Sequence, residues 1–370
     1  MGIKNFHKVI AKHAPDAYSY PSFGDLKGKW LGIDVSCFLY RYMVGFGKER
    51  WIDGFIHLFI ALRSQGVKFV LLFDGKAPPE KDAVHEKRQC AKDKLQQRAE
   101  DLLWLIEHLD ELEMTSLVCE TDEELTRAKR TGTVTPLGAT VVKKEELVEE
   151  LKKAENLCVL IRKEHIDALK ELARHMGIVS IQAPGEAEAF GAYLSVHGVL
   201  SGMATDDTDV LAYGCNYYRI NLKDRTVQNV DHLKLCDEIE FTPNQLTDLA
   251  ILLGCDYNSN LVGVGPVGVM NMMREHGSIE EILEATGKDG AVLNYVRSRE
   301  LFSVPDMDYV QMELKALNIK LPFVMGNLDR QELPLFMEQK NMRIDFGKVR
   351  KAWRDGRRIN AESVEFKMFE

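Results

Sequence analysis

An α/β fold, with a mostly parallel sheet flanked by helices, is what this sequence predicts, and three observations predict it. Apolar runs that end in an acidic residue recur, as in Trp30-Leu31-Gly32-Ile33-Asp34 and Phe69-Val70-Leu71-Leu72-Phe73-Asp74. Near-continuous apolar runs of this length suit strands buried on both faces. Charged segments with helical patterning lie between them, the alternation that builds a parallel sheet with crossover helices. The composition, 45% hydrophobic and 28% charged with eleven prolines, is globular rather than disordered or fibrous, and 370 residues suffice for one large or two modest domains.

In chain order, the first strands end at Asp34 and Asp74. From about Pro79 to Glu113 the pattern is charged and helical, and a less regular charged stretch continues to about Leu157, so this part reads as an insertion between strands. Its most loop-like segment is Thr131-Gly132-Thr133-Val134-Thr135-Pro136-Leu137-Gly138. Gly177-Ile178-Val179-Ser180-Ile181 predicts a further short strand, and Ala183-Pro184-Gly185 opens a helix whose partly positive amide end favours Glu186 and Glu188. Gly198 to Ala204 predicts a strand running into Thr205-Asp206-Asp207-Thr208-Asp209, and Tyr217-Tyr218-Arg219-Ile220 predicts another. Thr242-Pro243-Asn244-Gln245 opens a helix with Thr as N-cap, Pro at the first position and Gln three residues after the cap, and Gly254 can close it. There is no repeat of solenoid period and no low-complexity tract.

The net charge of -9 argues against a nucleic-acid ligand only until its distribution is read. Ten acidic residues and no lysine or arginine lie between Glu100 and Thr126, so the remainder of the chain is close to neutral. The seven cysteines are odd in number and lack a CxxC pair, which speaks against a disulfide framework and a zinc cluster. No stretch approaches the roughly 18 apolar residues of a membrane span, and Met1 to His7 contains no apolar signal core, so an intracellular, soluble protein is expected.

Strand C-terminal ends in a parallel sheet lie along one edge, so Asp34, Asp74, Asp207 and Asp209 are expected to converge there. Asp207 and Asp209, at i and i+2, share one side if their segment is extended. Glu186 and Glu188 follow at a helix start, and Asp256 follows the helix ending near Gly254. Clustered carboxylates repel unless a cation neutralises them, and hard oxygen donors select Mg²⁺ or Mn²⁺ over zinc. The chemistry this suggests is phosphodiester hydrolysis assisted by two ions. Singly, each acid reads as a solvated loop residue or a helix cap, and their joint placement favours a site. A phosphatase reading of Asp207-Thr208-Asp209-Val210-Leu211 is weaker, because Leu211 stands where the nucleophile motif has Thr or Val.

With these residues in hand, the chain resembles the flap endonuclease family of structure-specific 5′ nucleases. Met1-Gly2-Ile3, Ile33-Asp34-Val35-Ser36, Phe73-Asp74-Gly75-Lys76, Ala183-Pro184-Gly185-Glu186-Ala187-Glu188-Ala189, Thr205-Asp206-Asp207-Thr208-Asp209 and Leu252-Leu253-Gly254-Cys255-Asp256-Tyr257 occur in the family's order. The resemblance implies a PIN-like nuclease core with a helical arch insertion and a helix-hairpin-helix DNA-binding region. It divides the chain into nuclease regions at 1–79 and 161–260, an arch or cap at 80–160, the hairpin region at 261–290 and a C-terminal extension at 291–370. It implies that Asp34, Asp74, Glu186 and Glu188 serve mainly one Mg²⁺ and Asp207, Asp209 and Asp256 mainly the other, with Mn²⁺ able to substitute. The implied reaction cleaves 5′ flaps of branched DNA near single-strand/double-strand junctions in replication or repair, leaving a 5′ phosphate.

Lys81, His85, Arg88 and Lys92 are spaced for one helical face, and Lys81 and Arg88 match the family's catalytic basic pair, against the alternative of a solvated face. Tyr40 matches the family's base-stacking tyrosine, against ordinary amphipathic core. Leu261-Val262-Gly263-Val264-Gly265-Pro266 resembles the hairpin turn whose backbone amides grip duplex phosphates, in the family with a potassium ion, and Gly263 and Gly265 permit that approach. Val267 and Gly268 replace the family's basic residues there. The Asp34 to Asp74 interval is shorter and the Asp74 to Glu186 interval longer than is usual in the family, and no complete sliding-clamp box is present, Val364 to Glu370 being at best a remnant of one. Lys340 to Arg358 form a basic stretch read equally as a DNA backbone contact and as a solvated helical tail. The expected enzyme is a monomer, nuclear if the source is eukaryotic. Its rivals are a 5′ to 3′ exonuclease or junction resolvase of the same superfamily, a catalytically silent DNA-binding scaffold, and a PIN-like ribonuclease.

Overall fold

In the computed structural model, residues 2–111, 116–118 and 141–367 are described. The loop-like Thr131 to Gly138 segment, much of the acidic stretch and the last residues of the clamp-box remnant lie outside them.

Seven strands form the principal sheet: β1 (Tyr18–Ser19), β2 (Trp30–Asp34), β3 (Lys68–Phe73), β6 (Ser180–Gln182), β7 (Gly202–Ala204), β8 (Tyr217–Asn221) and β9 (Thr226–Val230), in the order β1-β9-β8-β7-β2-β3-β6. The pairs from β8 through β7, β2 and β3 to β6 are parallel, and β9 runs antiparallel to both β8 and β1. Mostly parallel pairing is thus what the apolar runs predict. After β2 the chain adds β3 and β6 on one side and then crosses to add β7 on the other, so the switch point lies between β2 and β7. Crevices at such switch points, outside the strand C-terminal ends, are where ligands bind in sheets of this kind.

Register brings the acids to that edge. Ile33 pairs with Ala204, which sets Asp34 beside Thr205, and Asp34 pairs with Leu72 two residues before Asp74. Behind the strands, Leu31, Ile33, Phe69, Val70, Leu71 and Leu72 have no solvent exposure, so the sheet is a fixed scaffold for the acidic segments beyond its edge.

The chain divides into two compact units. The first comprises residues 1–39, 52–81 and 163–370 and contains the principal sheet. The second comprises 40–51 and 82–162. It contains the helices Asp82–Glu111 and Lys144–Leu157 and the antiparallel pair β4 (Ser116–Val118) and β5 (Val141–Lys143). Leu102, Leu105, Ile106 and Leu109, at helical spacing, bury against Leu147 and Ala154 between its two helices.

The helix Pro243–Leu253 starts as its sequence dictates: Gln245 N–H donates to Thr242 Oγ1 and Thr242 N–H donates to Gln245 Oε1, a complete capping box with Pro243 at the first position. Gly254 ends it at φ 89°. β1, at the sheet edge, and β9 beside it have no apolar run to announce them and are additions to the predicted strands.

Candidate active site

Asp34 is the last residue of β2 and is buried. Its Oδ2 accepts from Thr205 Oγ1 at 2.7 Å and its Oδ1 from the Cys37 N–H at 3.1 Å. Burial pushes its carboxyl up to about 7, with Asp74 adding to the rise and the Thr205 and Cys37 bonds opposing it. Asp74, exposed just beyond β3, accepts from Ser36 Oγ and from the Ala187 N–H at 2.8 Å, the latter tying it to the first turn of helix Ala187–Val196. Glu186 is the N-cap residue of that helix and Glu188 lies in its first turn.

Asp207 and Asp209 meet for a different reason from the one their spacing suggests. The segment is bent, not extended: Thr208 is in the αR region and Asp209 starts the short helix Asp209–Ala212. The Asp207 N–H donates to Thr205 Oγ1 at 3.0 Å, and the Asp209 N–H donates to Asp207 Oδ1 at 3.0 Å. This bend, rather than the pleat of a strand, turns both carboxylates inward.

Glu188, Asp207 and Asp209 each place a carboxylate oxygen within 4.8 Å of the others, so the three could hold a metal ion. Both carboxylate oxygens of Asp209 are buried without a hydrogen-bond partner among the described residues. Burial raises the carboxyls of Glu188 and Asp209 well above the usual range, and Asp207 adds to both. Burial raises Asp207 as well. Buried oxygens that lack donors and repel one another are the donor set a hard divalent cation completes. Gly2 closes the cluster from one side: a Cβ there would lie 2.0 Å from Asp207 Oδ1 and 2.7 Å from Asp209 Oδ1, and its φ is +85°. Only glycine fits.

Lys81 brings a cation into the site. It lies in the 3₁₀ turn Pro79–Lys81, is 4% exposed, and its Nζ stands 2.6 Å from Glu186 Oε1, 3.0 Å from Glu188 Oε1 and 3.4 Å from Asp256 Oδ2. Burial opposes its charge, but Glu188, Glu186, Asp209 and Asp256 outweigh that and hold the ammonium charged far above the usual range. The shared helical face predicted for Lys81 and Arg88 is therefore corrected. Lys81 precedes the helix that carries Arg88, and Pro78 and Pro79 are the sequence signal that regular helix starts only after them. Its burial also excludes a solvated face.

Two tyrosines extend the site. The Tyr257 hydroxyl donates to Glu186 Oε2 at 2.7 Å and lies 2.7 Å from the Tyr213 hydroxyl, and its ring faces Lys81 Nζ at 5.2 Å from the centroid. Burial, then Tyr213 and Glu186, raise the Tyr257 hydroxyl so far that it stays protonated and a donor.

Residues 1–95 match the family described as the XPG N-terminal domain, and residues 177–256 match the XPG I-region. Flap endonuclease 1 of Xiphophorus maculatus is 31% identical over 337 residues, spanning 85% of this chain and 78% of that protein. The chain belongs to the flap endonuclease family. It is accordingly a structure-specific 5′ nuclease, and so a phosphodiester hydrolase. In fold it is similar to the catalytic core of Rad2 in complex with DNA substrate, at TM-score 0.59 and 19% identity over 97% of this chain and 100% of that one. It is also similar to the Holliday junction-resolving enzyme GEN1 in complex with product DNA and Mg²⁺, at TM-score 0.56 and 14% identity over 96% and 80%.

Bonds thus join Asp34, Asp207 and Asp209 through Thr205, and Asp74, Glu186, Glu188 and Asp256 through Lys81 and the first turn of helix Ala187–Val196, and the two sets meet where Glu188 lies close to Asp207 and Asp209. Arg88 and Tyr40 are half-buried on the helices Asp82–Glu111 and Val35–Phe46 and belong to the second unit. Gly263, at φ +73°, and Gly265, the N-cap residue of helix Pro266–His276, are exposed in the turn that follows helix Pro243–Leu253. Thr205, Ser36, Tyr213 and Tyr257 had no role assigned from sequence. Three of them stand within motifs of the flap endonucleases, next to or near a carboxylate, which is the only sequence signal they carry.

Proposed function

We propose that this flap endonuclease cleaves 5′ flaps of branched DNA by metal-assisted hydrolysis, in replication or repair and, in a eukaryote, in the nucleus. The observation that carries the reading is the buried trio Glu188, Asp207 and Asp209, with the Asp209 oxygens unpartnered. Asp34, Asp74, Glu186 and Glu188 would hold one Mg²⁺, and Asp207, Asp209 and Asp256 a second, Mn²⁺ being an equivalent hard cation. When bound, two such ions would activate the attacking water and stabilise the leaving oxygen.

The chain's own residues do the rest. Thr205 and the Cys37 N–H orient Asp34, and Ser36 and the Ala187 N–H orient Asp74. Tyr257 fixes one oxygen of Glu186, leaving the other facing Lys81. Water attacks phosphorus, the bond to the 3′ oxygen breaks, and the product carries a 5′ phosphate. Lys81, held charged, and Arg88 are the donors for the negative charge that grows on the phosphoryl oxygens. Tyr40 stacks a base, residues 80–160 form an arch, and the turn through Gly263 and Gly265 grips duplex phosphates through backbone amides, with K⁺ as a candidate ion. The enzyme acts as a monomer. Among the described residues no helix is long and apolar enough to cross a membrane.

Likeness in fold to GEN1 keeps a junction-resolving activity as the second reading. One panel of end-labelled 5′-flap, gapped, blunt and four-way DNA, with Mg²⁺ or with EDTA, tests both. Preferred Mg²⁺-dependent cleavage at the flap base is expected. Preferred four-way cutting would replace the flap assignment, and cleavage undiminished by EDTA would overturn the metal reading.

A further inference from the structure

A concentration of positive charge on the first unit lies away from the carboxylates. A groove of about 620 Å³ runs between the segment 327–330 and helix Phe346–Lys367, lined by Arg330, Arg350, Lys351, Arg354 and Arg357 together with Asn327. Carboxylates follow the ends of β2, β3 and β7, whereas this groove is anchored beside strand starts. The Gly326 N–H donates to Gly177 O at 2.7 Å, ahead of β6, and Ile359 packs on Gly66, ahead of β3. It is thus at the opposite edge of the sheet from the active site.

The platform is built rather than incidental. Val349, Ala352 and Trp353 bury one face of the helix, and Gly356 lets it approach Arg63, since a Cβ there would lie 2.1 Å from the Arg63 carbonyl oxygen. Arg350, Arg354 and Arg357, at i, i+4 and i+7, fall on another face and span about 10 Å at 1.5 Å per residue. Arg357 Nη1 donates to Asn327 Oδ1 at 2.6 Å, which sets one guanidinium across the groove, and the Arg354 Nε is 3.4 Å from Asp355. Asp345, at the helix start, is engaged with the Gly347 N–H. Beneath them Arg63 is 2% exposed, with Nε and Nη1 lacking a hydrogen-bond partner among the described residues, and Arg357 is close enough to help burial push it down to about 10. Five lining cations and a sixth buried one repel each other, and an anion relieves that repulsion. Planar guanidiniums favour tetrahedral oxyanions bound by paired N–H donors. The groove's length suits several phosphates in a row better than one carboxylate.

We propose that this groove is a phosphate-binding site, remote from the carboxylate cluster, for consecutive phosphates of a nucleic-acid arm or of a free polyphosphate. The inference does not depend on the flap reading, and its test needs no cleavage. Full-length protein is titrated with tripolyphosphate by calorimetry and with a 5′-flap DNA and a plain duplex by anisotropy over a salt series. The variant Arg330→Gln/Arg350→Gln/Arg354→Gln is compared with the corresponding triple Arg→Lys variant, which keeps the charge and controls for folding, and with a triple Lys→Gln control at exposed Lys223, Lys234 and Lys315. The groove variant should lose at least tenfold in tripolyphosphate affinity, with the Arg→Lys variant recovering part of it. If a nucleic-acid arm is the ligand, the slope of log affinity against log salt also falls by about 2 to 3. If a free polyphosphate is the ligand, that slope is unchanged while tripolyphosphate binding is lost. A parent that binds neither probe, a groove variant equal to the parent for both, or an equal loss in the Lys→Gln control overturns the proposal.

Discussion

At the strand ends of this flap endonuclease most of the charge is buried, Asp74 apart; at the strand starts most of it stands in water, Arg63 apart. Glu188 and Asp209 are drawn in among side chains where burial and Asp207 raise the cost of ionising both, and Lys81 is buried to meet them. Arg350, Lys351 and Arg354 lie on the outer face of a helix where water screens them. Buried charge is costly to leave unpaired and therefore fixes geometry, which is what chemistry at a phosphorus centre needs. Exposed charge is cheap, adjustable and sensitive to salt, which is what a grip on a polyanion needs.

The hardest way to break that contrast is Asp209→Asn. It removes a carboxylate whose oxygens have no donor, so cleavage should fall by at least a thousandfold while DNA affinity changes less than threefold. Because the folded state raises the carboxyl's pKa, the group favours folding at low pH and loses that contribution as pH rises. The metal-free variant should therefore melt about 2 °C or more above the parent at pH 8, with a smaller gap at pH 6, and lose the upward shift that Mg²⁺ gives the parent. Parent-like cleavage, or a metal-free variant that melts lower, would remove Asp209 from the site.

Lys81→Ala comes next. Three carboxylates then lose their buried counter-charge, and removing one partner of a buried pair commonly costs about 3 to 5 kcal/mol. Single-turnover cleavage is expected to slow about a hundredfold, and the metal-free protein to melt several degrees lower. Added Mg²⁺ should recover stability but not rate. A variant with parent-like stability and rate would mean Lys81 acts as a surface lysine despite its burial.

Tyr257→Phe asks whether orientation of Glu186 matters by itself. One hydrogen bond to a charged acceptor is worth about 1.5 to 3 kcal/mol, so roughly a tenfold slowing is expected, with substrate affinity held. If single-turnover rate is unchanged and only stability falls, the tyrosine pair supports the core and not the chemistry.

How far these features were legible depends on the same contrast. The acids at 34 and 74 stand directly after apolar runs, and Asp207 follows, with two residues between, the less apolar segment ending at Ala204; period and composition place such segments in a sheet, so the edge they share could be read from the chain. Lys81 could be assigned only by analogy with relatives, and its spacing to Arg88 suggested a common helical face. The turn formed at Pro78 and Pro79, and the pull of Glu186, Glu188 and Asp256 from two other segments, are tertiary facts that no local window contains. Tyr213 and Tyr257 are 44 residues apart and meet only through the fold. The basic stretch from Lys340 reads as a tail in sequence; that it faces Arg330 and Asn327 across a groove depends on the Gly326–Gly177 and Gly356–Arg63 approaches. β1, with two residues, is too short for any periodicity to mark.

The smallest expected effect sharpens the exposed side of the comparison. Val267 is 53% exposed in the first turn of helix Pro266–His276, directly after Pro266. It contributes no charge, so any duplex bound there is held by backbone amides and by more distant cations. Gly268 is a poorer place to add a side chain, since a Cβ there would stand 2.9 Å from Val264 Cγ1. Val267→Lys adds one exposed cation without touching a packed neighbour, and should tighten duplex binding a few-fold at low salt. It should also steepen the salt dependence by about one unit of slope, as one further phosphate contact would. Cleavage at saturating DNA should change less than twofold, because exposed charge acts on grip and not on the reacting phosphate. A slope equal to the parent's would show that this turn faces solvent and not DNA, whereas a large change in rate at saturation would show that exposed and buried charge are not separable in this enzyme.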